Sequence, residues 1–382
     1  MGNTVSKKSM RIAAFGFRSI PPQPGCAGAD KFAIELFPRL VRAGHQVVAY
    51  NRLYHGQTKG PSNYDGIKLM YFTTVKKTGF DTIIHSLKSC LHIIVHNTGD
   101  VVHIQNGGNS IWALFLRLFG KKVFISQDGV DWKRDKWPWY GKVFLSISKY
   151  ITAYLPNRVI FDNVFSKRAF EETYKKKFDF IPFGSEVSEP DTESEILQRL
   201  NLQRGEYFLF VGRFIPDKGL HYLVPAFEKT TTTKKLVLVG GSPNPSEYER
   251  SITRTNDKRI IFPGYIYGED TIILMKHAYA YIQPSDIEGL SPVLLSVMYL
   301  GTPVICSDIE ENHYIVGEDA ITFRKSDTAD LQNKIELSLN NYELMIEKAK
   351  TAQVRIRKDF SWDAVALQHI SLFQEEYKER VL

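Results

Sequence analysis

The chain has 382 residues, 43% hydrophobic and 24% charged, with a formal net charge of +7. This length exceeds what one hydrophobic core usually supports, so two domains are expected, in a composition typical of globular proteins. Cys26, Cys90 and Cys306 stand at unrelated spacings, which argues against a disulfide framework or a zinc site and favours a reducing, cytoplasmic location. No apolar run approaches the roughly 18 to 20 residues that span a bilayer, and no signal-peptide pattern opens the chain.

Charge is distributed unevenly between the two halves. Residues 1–190 contain 27 Lys and Arg against 14 Asp and Glu, a net +13, whereas residues 191–382 contain 22 against 28, a net −6. This asymmetry suggests that the first half faces an anionic partner such as phosphate, a membrane surface or nucleic acid. Lysines scattered over a solvated surface would give the same totals, and that alternative stays open.

The first predicted domain covers residues 10–184. From Met10 the pattern is strand, Pro/Gly loop, helix and strand, which is the beginning of a βαβ unit. Later apolar runs alternate with helical stretches and predict a parallel sheet covered by helices. Residues 1–9 are expected to be a disordered basic tail. Their start, MGNTVS, also matches the N-myristoylation pattern, although Met10 could be the natural start.

A second α/β domain is predicted over residues 206–360, after an acidic, polar linker at 185–205. Apolar strand segments such as YFLFVGR, KLVLVGG and AYIQPS alternate in it with helical stretches. Residues 361–382 should form a C-terminal helix. The expected fold class is therefore two Rossmann-like α/β domains with parallel sheets facing across a cleft, where ligands bind at the carboxyl ends of strands.

Two segments of the second domain carry candidate binding residues. VGRFIPDKG places Arg213 at the carboxyl end of a strand and Lys218 just before a helix, and these cations are suited to clamp a diphosphate. In PSDIEGLSPVLLSVMYLGTP, Ser291 is a good N-cap and Gly301 a good stop, which predicts a helix over 292–300. The N–H groups at the start of that helix favour phosphate, and Glu288 lies just ahead of it.

These motifs, with LVLVGGS and RIIFPGYI between them, resemble the donor-binding half of retaining glycosyltransferases of family 4, which have the GT-B fold. In the first half, GADKFAIELFPRLVRAGHQVVAYNR and SQDGVDWKRDKW are similar to a bacterial rhamnosyltransferase-like branch of cell-surface polysaccharide enzymes. The resemblance covers nearly the whole chain. Its motifs are specific for fold and reaction type and much less so for the sugar.

The resemblance implies roles for individual residues. Arg213 and Lys218 match the basic pair that holds the donor diphosphate and stabilises its leaving charge, and Glu288 matches the first acid of a paired-glutamate motif at the donor sugar. Pro292, lacking an N–H, removes one of the amides that usually meet the phosphates. The implied donor-binding residues are Gly212, Gly289, Leu290, Ser291, Val293 and Ser296.

Ser296 is a departure from the family pattern, which has a second acid that contacts the nucleotide ribose at this position. Hydrogen bonds to charged groups are worth about 1.5–3 kcal/mol against about 1 kcal/mol for neutral ones, so ribose binding should be weaker or altered. One hypothesis is a deoxyribose donor such as a dTDP-sugar. The other is that donor binding has decayed.

The first domain offers weaker candidates for the acceptor or the cleft. Gly28 lies in the first glycine loop, and His103 and Gln105 end a strand that in the family often reads His-x-His. His103 is also readily explained as a buried histidine. Asp131 opens an aromatic and basic stretch at 131–142 that could contact an anionic lipid surface or shape the acceptor site.

The expected function is transfer of a sugar, with a deoxyhexose such as rhamnose as one candidate, from a dTDP-, UDP- or GDP-sugar to a glycan or lipid-linked acceptor, with retention of configuration. No metal or other cofactor is expected, because Arg213 and Lys218 would take the metal's place. Nucleic acid is not an expected partner, whereas the inner face of an anionic membrane is an open one. The alternatives are a non-catalytic GT-B subunit and a sugar-nucleotide epimerase of similar architecture.

Overall fold

The computed structural model describes residues 9–21, 28–76, 79–127, 139–187, 195–241 and 246–378. The chain divides into two units, of which the first comprises Met1–Gly184 with Trp362–Leu382 and the second Ser185–Ser361. Each is built on a largely parallel sheet covered by helices. The predicted class of two Rossmann-like α/β domains is thereby confirmed.

The first unit contains an eight-stranded sheet in the order β3-β4-β2-β1-β5-β6-β7-β8, in which only the pair β3 and β4 is antiparallel. Apolar runs at the predicted positions form its central strands. The strands are β1 (Arg11–Phe15), β2 (Gln46–Tyr54), β3 (Asn63–Tyr64), β4 (Ile67–Thr74), β5 (Val101–Gln105), β6 (Lys122–Gln127), β7 (Arg158–Phe161) and β8 (Asp179–Phe180).

Helices cover both faces of this sheet, as the alternating side chains of a central strand require. Ile12 and Ala14 of β1 belong to the core beneath α1 and α14, whereas Ala13 and Phe15 belong to the core beneath α2 and α3. The helices are α1 (Gly28–Arg42), α2 (Phe80–His96), α3 (Ala113–Leu118), α4 (Trp139–Tyr154), α5 (Val164–Tyr174) and α14 (Trp362–Lys378), with a 3₁₀ turn at Gly107–Trp112.

The last helix, α14, is an integral part of the first unit. Trp362 is fully buried and its ring lies 4.9 Å from that of Phe183. At the other end of the helix, Glu376 accepts a hydrogen bond from the Arg158 guanidinium at 2.8 Å. The C-terminal segment therefore completes the core that the first 184 residues begin.

The second unit contains a six-stranded parallel sheet in the order β11-β10-β9-β12-β13-β14. Its strands are β9 (Tyr207–Arg213), β10 (Lys235–Gly241), β11 (Ile260–Gly264), β12 (Ala280–Gln283), β13 (Val304–Ser307) and β14 (Ile321–Phe323). Its helices are α6 (Ile196–Arg199), α7 (Leu220–Glu228), α8 (Glu247–Ile252), α9 (Glu269–His277), α10 (Pro292–Leu300), α11 (Glu310–Val316), α12 (Thr328–Asn340) and α13 (Tyr342–Asp359).

The segment expected as a linker, 185–205, belongs to the second unit in its described part. Ile196 and Leu202 are 1% and 7% exposed and pack in the same core as the second sheet. The Ser185 N–H also donates to the Phe360 carbonyl at 2.7 Å. The polar composition of the segment did not indicate this packing, because one or two apolar side chains suffice to anchor a helix as short as α6.

His103 lies in the core of the first unit. Its ring is fully buried, within 6 Å of the rings of Phe32, Phe37 and Phe373, and its Nε2 lies 2.8 Å from the Ser126 Oγ. Burial lowers the pKa of His103 to about 3. The same cause lowers that of the neighbouring His369 to about 4, and both rings are neutral in the folded chain.

Acid should destabilise the first unit because of these histidines. In the unfolded chain their pKa is about 6.5, so below this pH the unfolded state binds more protons than the folded state. The free energy of unfolding is therefore expected to fall as the pH drops from 6.5 towards 4, by up to about 1.4 kcal/mol per pH unit for each ring. Denaturant unfolding across this range measures the slope.

His103→Gln keeps a polar side chain beside Ser126 that does not take up a proton in this pH range. It should therefore reduce the slope of the free energy of unfolding against pH. The control is His55→Gln, since His55 is exposed. Identical slopes for wild type and His103→Gln would contradict the prediction, whatever the absolute stability of the variant.

Candidate active site

The candidate site lies where two central strands of the second sheet end. β9 pairs with β12, and the strands that follow them in the chain lie on opposite sides, β10 beyond β9 and β13 beyond β12. At such a switch point the loops leave in opposite directions and open a crevice at the carboxyl edge of the sheet. Arg213 ends β9, and Glu288 follows β12 by five residues.

The end of β9 offers a backbone surface beside a cation. Gly212 pairs with Gly240 of β10, and a Cβ atom on Gly240 would lie 1.8 Å from the Gly212 carbonyl oxygen. Glycine at position 240 is therefore required for the close approach of β9 and β10 beside Arg213. Arg213 is exposed and makes no ion pair within the described ranges.

The loop after β9 is pressed against the loop after β12. Gly219 follows a 3₁₀ turn at Pro216–Lys218 with φ +70°, and a Cβ atom there would lie 1.9 Å from the Pro284 carbonyl oxygen. The Asp286 N–H donates to the Asp217 carbonyl at 2.9 Å. This close approach, possible only for glycine, brings Lys218 next to Glu288.

Glu288 is held from two sides. Its Oε1 accepts hydrogen bonds from the Lys218 Nζ and, at 2.7 Å, from the Ser285 Oγ. The Glu288 side chain is 8% exposed and that of Lys218 is 22% exposed. The carboxylate thus has a fixed position at the strand ends, with a cation paired to it.

A chain of buried polar side chains supports this loop from beneath. The Ser307 Oγ donates to the Ser285 carbonyl, and the Asn312 Nδ2 donates to the Ser307 carbonyl at 3.0 Å. The Gln283 Nε2 donates to the Asn312 Oδ1 at 2.6 Å, and the Gln283 Oε1 accepts from the Ser291 hydroxyl at 3.0 Å. We call these five residues, Gln283, Ser285, Ser291, Ser307 and Asn312, the buried polar chain.

Four members of the buried polar chain were not predicted from the sequence. Gln283, Ser285 and Ser307 are polar residues directly at or after the ends of apolar strands, which is a detectable signal of a loop that carries function. Asn312 lies in α11 and nothing in its local pattern distinguishes it from a surface residue.

Helix α10 starts at the site. It spans Pro292–Leu300, as predicted, with the Ser291 side chain accepting from the Leu294 N–H and Gly301 at φ +79° as its C-cap. The first turn of a helix has N–H groups without acceptors inside the helix, that of Val293 among them. Together with the helix dipole they favour an anion near Gly289 and Leu290 in the loop that precedes the helix. Gly289 is exposed and Leu290 is half-buried.

Ser296 faces Ser185 one turn into α10. Its hydroxyl donates to the Pro292 carbonyl at 2.8 Å, and its Oγ lies 3.4 Å from the Ser185 Oγ. With its proton used inside the helix, Ser296 retains mainly acceptor capacity. A neutral hydroxyl acceptor therefore stands at the position where the family pattern has a carboxylate.

Two tyrosines beyond the end of β11 were not singled out from the sequence. Tyr265 and Tyr267 are 46% and 76% exposed, with parallel rings 5.9 Å apart. A Cβ atom on Gly241, at the end of β10, would lie 3.3 Å from the Tyr265 ring. An exposed aromatic face thus borders the same edge of the sheet as Arg213.

The first-unit candidates do not form a comparable site. His103 was a weak cleft candidate, and the structure corrects this, because its ring is enclosed in the core. Gln105 ends β5 but is 2% exposed, and Gly28 is the exposed first residue of α1. Asp131 and residues 1–8 lie outside the described residues, as does most of the aromatic and basic stretch.

The described part of the chain contains no group of three or more His, Cys, Asp and Glu side chains placed to hold a metal ion. It also contains no helix that combines the length and hydrophobicity needed to cross a bilayer. The charged groups that the site presents are Arg213, Lys218 and Glu288.

The candidate site lies in a part of the chain that matches a known protein family. Residues 192–355 match the model of the family described as glycosyl transferases group 1. We call residues 192–355 the group 1 domain after this match. All candidate residues of the site, from Gly212 to Ser296, fall inside it.

Curated relatives are similar to part of the chain. The O-antigen chain mannosyltransferase C of Escherichia coli is 26% identical over 236 residues, 60% of this chain and 62% of the relative. The D-rhamnosyltransferase WbpZ of Pseudomonas aeruginosa is 26% identical over 206 residues, 52% and 54% of the two chains. This chain is thus matched over less than two thirds of the length of these relatives.

Solved structures resemble the chain over nearly its whole length and identify the fold as GT-B. Sucrose-phosphate synthase from Thermosynechococcus elongatus has a TM-score of 0.77 at 20% identity, covering 96% of this chain and 99% of that one. Anabaena HepE in complex with UDP has a TM-score of 0.73 at 17% identity, covering 96% and 100%.

The contact between Gly219 and Pro284 should be essential to the group 1 domain. Gly219→Ala places a Cβ at positive φ and against the Pro284 carbonyl. The backbone conformation alone costs about 1–2 kcal/mol, and overpacking adds typically about 1–3 kcal/mol. Denaturant unfolding should show a loss in the free energy of unfolding equal to the sum of these two costs.

The control is Gly205→Ala, because Gly205 has nearly the same φ, +72°, with no atom near the added Cβ. It should show only the backbone cost. Equal losses in the two variants would mean that the two loops can separate without consequence, contrary to the structure.

Proposed function

We propose that the protein is a retaining glycosyltransferase, which moves a sugar from a nucleotide-diphosphate donor to a glycan or lipid-linked acceptor. The observation that carries this is the exposed Arg213, which forms no ion pair with a described residue and lies at the same strand ends as the Lys218–Glu288 pair, at the switch point of the group 1 domain. A deoxyhexose such as rhamnose is one candidate sugar, in keeping with the name of the Pseudomonas relative.

The two cations are proposed to bind the donor diphosphate. Arg213 has its guanidinium available for phosphate oxygens, and Lys218 is kept near them by Glu288 and the loop contact at Gly219. The amides at the start of α10 add donors for the same anion. As the bond from the sugar to the diphosphate breaks, these groups offset the charge that develops on the leaving oxygen.

Glu288 is proposed to orient the donor sugar. Its second carboxylate oxygen is available for a sugar hydroxyl, while Oε1 remains bound to Lys218 and Ser285. The acceptor hydroxyl then attacks on the face from which the diphosphate departs, so that configuration is retained. The hydroxyl proton leaves with the nucleotide diphosphate.

The nucleoside is proposed to lie between α10 and the tyrosines. Ser296 would accept from a ribose hydroxyl, and the exposed ring of Tyr265 provides a face on which a base can stack. Because Ser296 offers the ribose only an uncharged hydrogen bond, it supports a donor whose binding depends little on the ribose hydroxyls, such as a dTDP-sugar.

Arg213→Ala should abolish most of the activity without unfolding the chain. Loss of one preorganised charge-stabilising donor typically costs roughly 3–4 kcal/mol of barrier, so transfer should slow on the order of a hundredfold or more. The increase in melting temperature with a saturating nucleotide sugar should shrink as well, since bound ligand stabilises only the native state. A panel of dTDP-, UDP- and GDP-sugars serves for both measurements.

Arg254→Ala is the matched control, because Arg254 is an exposed arginine of the same domain beside α7 and α8. Arg213→Lys should recover part of the binding. Turnover that survives Arg213→Ala nearly intact would refute the assignment. No stabilisation of the wild type by any donor would favour a non-catalytic GT-B subunit.

The ribose contact predicts how the protein distinguishes UDP from dUDP, which differ only in the 2′-hydroxyl. The wild type should bind the two with nearly equal affinity, as judged by competition against the preferred donor. Ser296→Glu introduces a charged acceptor, worth about 1–2 kcal/mol more than a neutral one, and should shift the preference towards UDP about tenfold.

Ser296→Ala is the control and should leave the ratio near one. A clear preference of the wild type for ribonucleotides would contradict the deoxyribose hypothesis while leaving the proposed transfer reaction in place. Absence of any shift in Ser296→Glu would show that position 296 does not reach the ribose.

A further inference from the structure

Helix α2 of the first unit carries an apolar stripe on its outer surface. Phe80, Leu87, Leu91 and Val95 are 49%, 37%, 52% and 73% exposed, at the three- to four-residue spacing that aligns side chains along a helix. The opposite side of the helix is already buried, with Cys90 and Ile93 in the core. The stripe is therefore not needed for folding of this unit.

The stripe continues on α3 and α4. Leu114, Phe115, Leu118 and Phe119, on α3 and at its end, are 44% to 72% exposed. Ile147, Tyr150 and Tyr154 of α4 are exposed in the same way. Of the 21 large exposed hydrophobic side chains in the described residues, ten lie on these three helices and an eleventh, Phe119, directly follows α3.

The three helices form one layer. The Trp112 Nε1, just before α3, donates to the Ser86 Oγ of α2 at 2.8 Å. The Arg117 guanidinium of α3 donates at 2.9 Å to the carbonyl of Leu155, which follows α4. We call the outer surface of α2, α3 and α4 the apolar face. Exposed apolar side chains gathered on neighbouring helices mark an interaction site.

The charges of the apolar face are nearly all positive. The three helices contain a single carboxylate, Asp81, and it is paired with Arg52 at 2.8 Å. Lys88 and Arg117 are exposed, and Lys149 is half-buried. Helices with an apolar surface, basic side chains and tyrosines, and almost no acid, have the composition of helices that lie in the interface of an anionic bilayer.

We propose that the apolar face docks onto an anionic membrane surface. Leu, Val and Phe side chains enter the headgroup region, while Lys88 and Arg117 contact lipid phosphates. Charge complementarity favours lipid over a second copy of the chain, because two copies would bring like charges together. The residues of this surface belong to the first unit and lie outside the group 1 domain in sequence.

Co-sedimentation with vesicles tests the proposal on the full chain. Binding to vesicles of phosphatidylcholine with phosphatidylglycerol should be strong, and it should weaken with pure phosphatidylcholine or with added salt. Val95→Glu combined with Leu118→Glu should reduce the partition coefficient at least about tenfold, since both residues leave the apolar region and add negative charge. Both side chains are over 70% exposed, so the melting temperature should not change.

Val354→Glu with Leu344→Glu is the matched control, because these residues are 70% and 52% exposed on α13 of the second unit. It should bind vesicles as the wild type does. If Val95→Glu with Leu118→Glu binds equally well, or if the wild type binds neither kind of vesicle, the proposal is wrong. A dimer that sedimentation velocity detects and that this double variant abolishes would instead assign the face to self-association.

Stabilisation by nucleotide sugars separates this proposal from the proposed function. The double variant on the apolar face should keep the wild-type stabilisation, because its substitutions lie outside the group 1 domain. Loss of vesicle binding with unchanged nucleotide binding is the expected result. Vesicle binding that is retained when no nucleotide sugar binds would leave the docking proposal standing without the transferase.

Discussion

The close approach of two loops at Gly219 and Pro284 is the constraint on which the candidate site depends. It places Lys218 and Glu288, which lie 70 residues apart in sequence, within hydrogen-bonding distance. A buried carboxylate without partners would destabilise the fold, and the hydrogen bonds from Lys218 and Ser285 avoid this cost. The buried polar chain beneath Ser285 then fixes the backbone from which Glu288 projects, so the orientation of the carboxylate does not depend on a bound ligand.

Elements whose signals are local could be predicted from the sequence. The N-cap Ser291 and the stop at Gly301 fix the ends of α10 through interactions within a few residues, and the structure has the predicted bounds. Apolar runs likewise identified the central strands of both sheets, because strands that are buried on both faces have no polar alternation to obscure them. From these strands and turns the fold class followed, and with it the expectation of a site at strand ends.

Features that depend on distant residues could not be predicted in this way. Asn312 acquires its role only because α11 is folded against the ends of β12 and β13, which no local pattern encodes. His103 stands at a strand end, where the pattern allowed a site, but α1 and α14 cover it with aromatic rings. The segment at 185–205 has the composition of a linker, yet Ile196 joins the core of the second unit.

The distribution of charge shows why net charge alone does not locate a candidate anion site. The second half of the chain is net negative, but the crevice at the switch point presents Arg213, Lys218 and the start of α10. Local fields from a few fixed groups act over distances comparable to the screening length of about 8–10 Å, so carboxylates elsewhere on the surface contribute little to binding there. In the first unit, α2, α3 and α4 contain a single carboxylate, Asp81, which makes a planar anionic partner more suitable than a small one.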